Sequence, residues 1–384
     1  MLDFTSALYL GLRHPSSALD PWSQLTTGVP AGLAEPRVAG SVAGLVAKLQ
    51  GCEAGVVGTS TLHLAWDLMG LLARDSITVH VDASTYPVLR WGAAWAGCHG
   101  MPVHTFPAHD AHALGRSLER TAGRGRRPVV VTDGFCTACG RAAPLRDYVE
   151  RVRAAGGLLV IDDTQALGVL GRRESTDAPY GLGGGGSLPW NAIADPEVIV
   201  IASLAKAFGA PVATLTGAAA IVRRFAGASE TRVHCSPPSV AALHAAHRAL
   251  ALNDHRGDSL RATLLSRVQR FRRGLAASGL RTRGGTFPVQ SLKAPRGCAA
   301  TELHARLADL GVRAVLTREA SRGGATVTLL ITARHSTGEI DRAAASIAAS
   351  LGSAPSTLSV SEDPCRRTVH VPACHASAAA RSRT

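Results

Sequence analysis

The sequence predicts an α/β protein, with a mostly parallel, doubly wound sheet in a large domain followed by a smaller α+β domain. Three observations lead there. The middle of the 384-residue chain alternates short apolar runs with helical stretches, the order from which parallel sheets are built. Those runs are rich in Val, Ile and Leu without strict alternation, as strands covered on both faces require. Near residue 240 the pattern changes to long helical stretches and then separate strand-like runs. The expected division is a segment 1–44 packing with the small domain, a large domain 45–245, a small domain 246–351 and a tail 352–384.

Taken in order, strands are expected at 77–82, 101–106, 128–132, 158–163, 198–203 and 212–217, with helices at 62–72, 86–96 and 145–155. The last of these helices opens with Pro144 and closes with Gly156, the usual boundary chemistry. Residues 174–191 contain Gly-Leu-Gly-Gly-Gly-Gly-Ser and read as a flexible loop, because a glycine run holds no regular structure by itself. These glycines do not join a strand directly to a helix, so they are no dinucleotide fingerprint. Further on, helices are expected at 240–253 and 260–278, strands at 287–292, 312–316 and 326–331, and a closing helix at 338–351. The tail 352–384, rich in Ser, Ala, Arg and Thr, is expected to be mobile.

The formal net charge is +13, carried by 38 arginines and only three lysines. The arginines are spread along the chain, and the cluster at 124–127 lacks interleaved aromatics. That pattern reads as solvated surface and not as a nucleic-acid site. The chain holds no uncharged apolar run long enough to cross a membrane, and its start lacks a basic region, an apolar core and a small-residue cleavage site. A cytoplasmic, reducing location is expected. The eight cysteines are scattered and do not form a disulfide framework. Cys136 and Cys139 make one Cys-x-x-Cys with no second pair or closely following histidine, so they read as buried small residues and no metal is expected. His104, His109 and His112 fall in an irregular segment without a carboxylate partner and read as surface histidines.

Chemistry concentrates at two strand ends. The run Ile161-Asp162-Asp163-Thr164-Gln165 closes one apolar strand, and Ser203-Leu204-Ala205-Lys206 closes another about forty residues later. Both ends belong to the carboxyl edge of a parallel sheet, where open α/β folds put their ligands. Lys206 is flanked by Ala, Phe and Gly; apolar surroundings lower a lysine pKa and favour the neutral amine that forms an imine. The competing reading is a solvated helix-start lysine. Lys48 and Lys293 have no strand-end carboxylate upstream. Asp162 is placed to hold a proton on a pyridine nitrogen, as a pyridoxal phosphate site requires, whereas a cap suits Asp163 better. The turn Gly58-Thr59-Ser60 before a helix offers backbone N–H groups and hydroxyls to a phosphate, and an ordinary N-cap would use the same residues. Ser203 could add another hydroxyl.

These motifs, in this order, resemble the α-oxoamine synthase group of fold-type I pyridoxal phosphate enzymes, within the aminotransferase class I/II superfamily. The resemblance runs from residue 1 to about 351, through 3–12 (ending Tyr-Leu-Gly-Leu), 132–145 (Thr-Asp-Gly to Ala-Pro-Leu), 161–171, 203–209, 234–246 and 329–343. It implies pyridoxal 5'-phosphate as cofactor and Lys206 as the amine that binds it and shuttles the α-proton. It also implies Asp162 against the pyridine nitrogen, and Gly58, Thr59 and Ser203 on the phosphate. Ser236 is then directed to the phosphate of a neighbouring subunit, which implies a homodimer. Thr137 stands where the family carries a serine near the cofactor.

The chain departs from the family pattern at three places. The stacking histidine falls at Tyr86, whose ring can also stack. The histidine on the cofactor's phenolic oxygen falls at Gln165, whose amide can donate but carries no charge. The register of the carboxylate-clamping arginine is held by Thr326 and Thr328, with Arg318, Arg322 and Arg334 as neighbouring arginines. The expected activity is condensation of an amino acid or amine with an acyl-CoA or acyl-carrier thioester in a specialised biosynthetic pathway. Transamination or decarboxylation on the same fold, and a catalytically silent cofactor-binding subunit, are the alternatives.

Overall fold

The computed structural model describes residues 1–175, 178–292, 299–318 and 325–351. Strand β1 (Leu2–Asp3) and helix α1 (Arg37–Gln50) precede the large sheet. There follow β2 (Ala54–Gly58), α2 (Thr61–Ala73), β3 (Ile77–Asp82), α3 (Pro87–Cys98), β4 (Val103–Phe106), α4 (Ala111–Thr121) and β5 (Arg127–Asp133). A short hairpin, β6 (Phe135–Cys136) and β7 (Arg141–Ala142), leads to α5 (Leu145–Ala154), β8 (Leu158–Asp162), α6 (Ser187–Asn191), β9 (Val198–Ser203) and β10 (Ala213–Gly217). The rest of the chain is α7 (Ala219–Ala228), α8 (Glu230–His234), α9 (Val240–Ala276), β11 (Thr282–Arg283), β12 (Val289–Leu292), α10 (Ala300–Asp309), β13 (Val312–Arg313), β14 (Val315–Arg318), β15 (Ala325–Leu330) and α11 (Thr337–Leu351).

The large sheet has strand order β2-β10-β9-β8-β5-β3-β4. Its strands from β9 to β4 pair in parallel, and only β10 runs antiparallel to both of its neighbours. Every residue of β3 and β8 is buried, which is why those strands read as unbroken apolar runs. The six strands expected from the sequence are all present. Strand β2 was hidden, since three of its five residues are Ala or Gly and carry little strand signal. The smaller sheet, β11-β12-β15-β14, is antiparallel. The first residues reach this region: β1 pairs with β13 in a separate two-stranded sheet, and Leu330 N of β15 and Ala333 N donate to the carbonyls of Phe4 and Tyr9.

Three expectations are corrected. The stretches 240–253 and 260–278 form one 37-residue helix, α9. Its polar centre resembles a break, but Asn253 Nδ2 donates to Gly183 O, and Arg261, 2% exposed, donates to Gly168 O and Asn253 Oδ1. Satisfied in this way, the polar groups stay in a buried helix. The glycine-rich segment is also no loose loop. Gly186 N donates to Leu170 O at 2.7 Å, Gly168 N donates to Gly184 O at 2.7 Å, and 187–191 is helical. A Cβ on Gly185 would collide with Leu49 O, so the run is glycine because backbones meet there. Finally, the histidine-bearing segment is regular in part: His104 lies in β4 and exposed His112 in α4, whose cap Asp110 Oδ1 accepts from Ala113 N at 2.8 Å, while His109 stays in the turn between them. The tail 352–384 and Lys293 lie outside the described residues. Among the described residues, no helix is long and apolar enough to cross a membrane.

Candidate active site

Strands β8 and β9 are neighbours, with Asp162 in register with Ile201. The turn carrying Lys206 therefore emerges beside the Asp162 carboxylate. Burial lowers the Lys206 pKa while the Asp162 charge raises it; burial raises Asp162 while its Thr164 hydrogen bonds and Lys206 hold it down. Half-buried Lys206 and buried Asp162 are thus electrostatic partners. A chain of hydrogen bonds sets their spacing. Asp162 Oδ1 accepts from Thr164 N at 2.9 Å, Thr164 Oγ1 accepts from Ser203 N at 3.0 Å, and Ser203 Oγ accepts from Ala205 N at 3.2 Å.

Asp133, at the end of β5, is the register partner of Asp162. Paired residues of parallel strands face the same side, so two carboxylates stand together. Burial pushes Asp133 well above its ordinary range, and the Asp162 charge adds to this. Both of its oxygens accept from Tyr86 N at 3.0 Å, which fixes the start of α3. The Tyr86 ring itself is 55% exposed and offers a face for stacking. Gln165 Oε1 accepts from the Tyr9 hydroxyl at 2.6 Å, and this assignment leaves Gln165 Nε2 as a donor. Tyr9 is fully buried, and burial raises its phenol, so it stays a neutral donor.

At the other end of the sheet edge, Gly58 closes β2 and Ser60 caps α2, its Oγ meeting His63 Nδ1 at 2.7 Å and accepting from His63 N at 3.4 Å. Thr59 Oγ1 donates to Ser236 O at 3.3 Å, and Gly58, Thr59, His63, Arg232 and Ser236 line one small cavity. Thr59 therefore meets Ser236 of its own chain. Thr137 occupies the turn between β6 and β7, two residues beyond Phe135, whose ring stacks on Phe287 at 3.8 Å. At the arginine-clamp register, Thr328 Oγ1 and Ser291 Oγ share a hydrogen bond at 3.0 Å, and Thr326 pairs with Thr317. Neutral hydroxyls satisfy one another there. Arg334 is exposed and passes beside Gly11. The Arg318 side chain and Arg322 lie outside the described residues.

This donor set fits pyridoxal phosphate. The Asp162 carboxylate is buried at the strand edge beside Lys206, with Oδ1 held by Thr164 N, so a buried carboxylate stands ready for a protonated ring nitrogen. Sequence reasoning missed Asp133, Thr164 and Tyr9. The Thr-Asp-Gly and Tyr-Leu-Gly-Leu phrases contain two of them, but only the register of β5 with β8 and the approach of residue 9 to residue 165 give them roles. It also missed that His109 stands beside Cys136 and Cys139, which are buried as expected.

The chain matches the family described as Aminotransferase class I and II over residues 39–347. It is 28% identical over 355 residues to an 8-amino-7-oxononanoate synthase of Sodalis glossinidius, covering 88% of this chain and 85% of that one. A serine palmitoyltransferase of Sphingomonas wittichii shares the fold with a TM-score of 0.79 at 16% identity, over 92% of this chain and 88% of the other. An 8-amino-7-oxononanoate synthase from Francisella tularensis does so with a TM-score of 0.69 at 17% identity, over 92% and 98%. The family match spans well over half of the chain, and the chain belongs to the aminotransferase class I and II family, with the fold-type I architecture of pyridoxal 5'-phosphate transferases.

Proposed function

We propose that this enzyme is an α-oxoamine synthase that joins the α-carbon of an amino acid or amine to the acyl group of a thioester, in a biosynthetic pathway. The observation that carries the reading is the pairing of half-buried Lys206 with buried Asp162 at adjacent strand ends. Bound pyridoxal phosphate supplies the electron sink that makes a bond at the substrate's α-carbon breakable. Lys206 Nζ holds the cofactor and, once free, takes and returns the α-proton; its lowered pKa keeps it available as a base. The Asp162 carboxylate would keep the proton on the ring nitrogen. Gln165 Nε2, aimed by Tyr9, donates to the cofactor's phenolic oxygen, and the Tyr86 ring covers one face. Gly58, Thr59 and Ser60 bind phosphate with backbone N–H groups and hydroxyls at the start of α2, with Ser203 and Ser236 adding hydroxyls and Thr137 lying near the ring. The neutral Thr328–Ser291 pair favours a substrate whose carboxylate, if present, is gripped from another side.

Mass spectrometry of products after incubation with a panel of amino acids and acyl-CoA or acyl-carrier thioesters tests the reading. A ketone formed only with both substrates, and lost in Lys206→Ala together with the visible imine absorbance, is expected. Conversion of an amino acid without a thioester would identify transamination or decarboxylation instead. The working unit is proposed to be a cytoplasmic homodimer, to be checked by light scattering on the eluted holoenzyme.

A further inference from the structure

We propose that His109, Cys136 and Cys139 form a zinc site, outside the cofactor site, with solvent as the fourth ligand. One ligand atom from each residue lies within 4.8 Å of the other two, and Cys139 Sγ stands 3.9 Å from His109 Nε2. Zinc bonds of about 2.3 Å to sulfur and 2.0 Å to nitrogen require tetrahedral edges of roughly 3.4–3.8 Å. Side-chain adjustment of about 1 Å or less therefore closes three ligands on one ion.

The two elements are built for this approach. Gly140 N donates to Cys136 O at 2.9 Å, folding the Cys-x-x-Cys turn so that both thiols are buried with Ala83 and Ala108. The histidine comes from a separate segment between β4 and α4. Its backbone is left-handed, with φ of 58°, a conformation that costs a residue with a side chain. Asp82 Oδ2 accepts from His109 N at 3.1 Å and holds it there. His109 Nδ1 is buried without a hydrogen-bond partner among the described residues, an unusual state for a buried imidazole nitrogen. His109 also lines a cavity of about 650 Å³ together with Asp110, His112 and Arg141; neither cysteine borders it, so a fourth, solvent ligand would enter past the imidazole.

The chemistry selects the ion. Two sulfurs and one imidazole suit zinc better than magnesium or calcium, which take oxygen ligands. Binding releases one proton from each thiol, and two thiolates then balance the dication in a buried place. The clamp would fasten the β4–α4 segment to the hairpin that follows Asp133 and carries Thr137. Its role is to position that hairpin, not to act on substrate.

The holoenzyme, purified under reducing conditions, is titrated with Zn²⁺ for elemental analysis and separately with Co²⁺ for spectroscopy. One tightly held zinc per chain is expected, and cobalt should give intense d–d bands in the visible with sulfur-to-cobalt charge transfer. His109→Asn, Cys136→Ser and Cys139→Ser should each remove the ion while cofactor content stays unchanged, which shows that each variant has folded. Because the cobalt spectrum needs no variant, a misfolded mutant does not remove the test. Binding that is absent from the wild type, octahedral cobalt of low intensity, metal retained in all three variants, or a Cys136–Cys139 disulfide persisting under reductant would overturn the proposal.

Discussion

Asp162 and Asp133 face the same side of two paired strands, yet their surroundings differ. Asp162 has Lys206 and Thr164 to hold its charge, while Asp133, helped by the Tyr86 amide and more weakly by Arg90, faces the charges of Asp162 and Asp82 and is driven further toward protonation. Replacing Asp162 by Asn removes the charge and keeps the shape. Turnover should fall by about 100-fold or more while the cofactor remains bound, as seen in single-turnover kinetics and the absorbance spectrum. Tyr9→Phe is milder. Losing one neutral hydrogen bond worth about 1 kcal/mol frees the Gln165 amide to rotate, so kcat should drop roughly fivefold with little change in the thermal midpoint. An unchanged kcat would show that Gln165 needs no orientation. Lys206 was legible because lysine is scarce in this chain and one stands after a strand. Tyr9 was not, since its partner is 156 residues away and nothing local announces it.

For whole elements, the sequence spoke clearly where burial was uniform and poorly where polar residues were satisfied at a distance. Strands β3, β8 and β9 were evident because no position faces water strongly. Helix α9 was split in reading because Asn253, Gly257, Asp258 and Arg261 resemble a connection. Their partners lie at Gly168 and Gly183, far away in sequence. Two substitutions test that account. Arg261→Met would leave Gly168 O and Asn253 Oδ1 without their donor and should destabilise by about 2–4 kcal/mol in denaturant melts. Gly257→Ala raises helix propensity by about 1 kcal/mol, yet a Cβ there would meet Asn253 Oδ1 and press on Arg261 Nη2. The net effect should be destabilising. A gain in stability would mean the helix is loose at its centre.

For the molecule as a whole, pH dependence comes from buried groups with opposite signs. His80 lies in β3, at 2.9 Å from Ser117 Oγ, and burial lowers its pKa from 6.5 to about 4. Between those values the unfolded chain binds a proton that the folded chain refuses, so stability is full above 6.5 and is lost on acidification at about 1.4 kcal/mol per pH unit. Asp163, with Oδ2 accepting from Ser187 N at 2.9 Å, is raised by burial from 3.8 to about 7. Here the folded chain keeps a proton that the unfolded chain has lost, and stability is lost as pH rises from 3.8 to about 7. Over the window from 4 to 6.5 the two slopes oppose and largely cancel. Single substitutions should therefore expose them. Relative to wild type, His80→Gln should become progressively more stable as pH falls below 6.5, because its acid penalty is gone. Asp163→Asn, whose amide oxygen can still accept from Ser187 N, should become progressively less stable over the same range, because wild type gains from protonation and the variant does not. Urea midpoints measured at half-unit steps from pH 4.5 to 7.5 read both slopes, each approaching about 1.4 kcal/mol per unit. A flat difference for either variant would mean that its group titrates in the fold as it does in the unfolded chain, and that its burial is relieved by water.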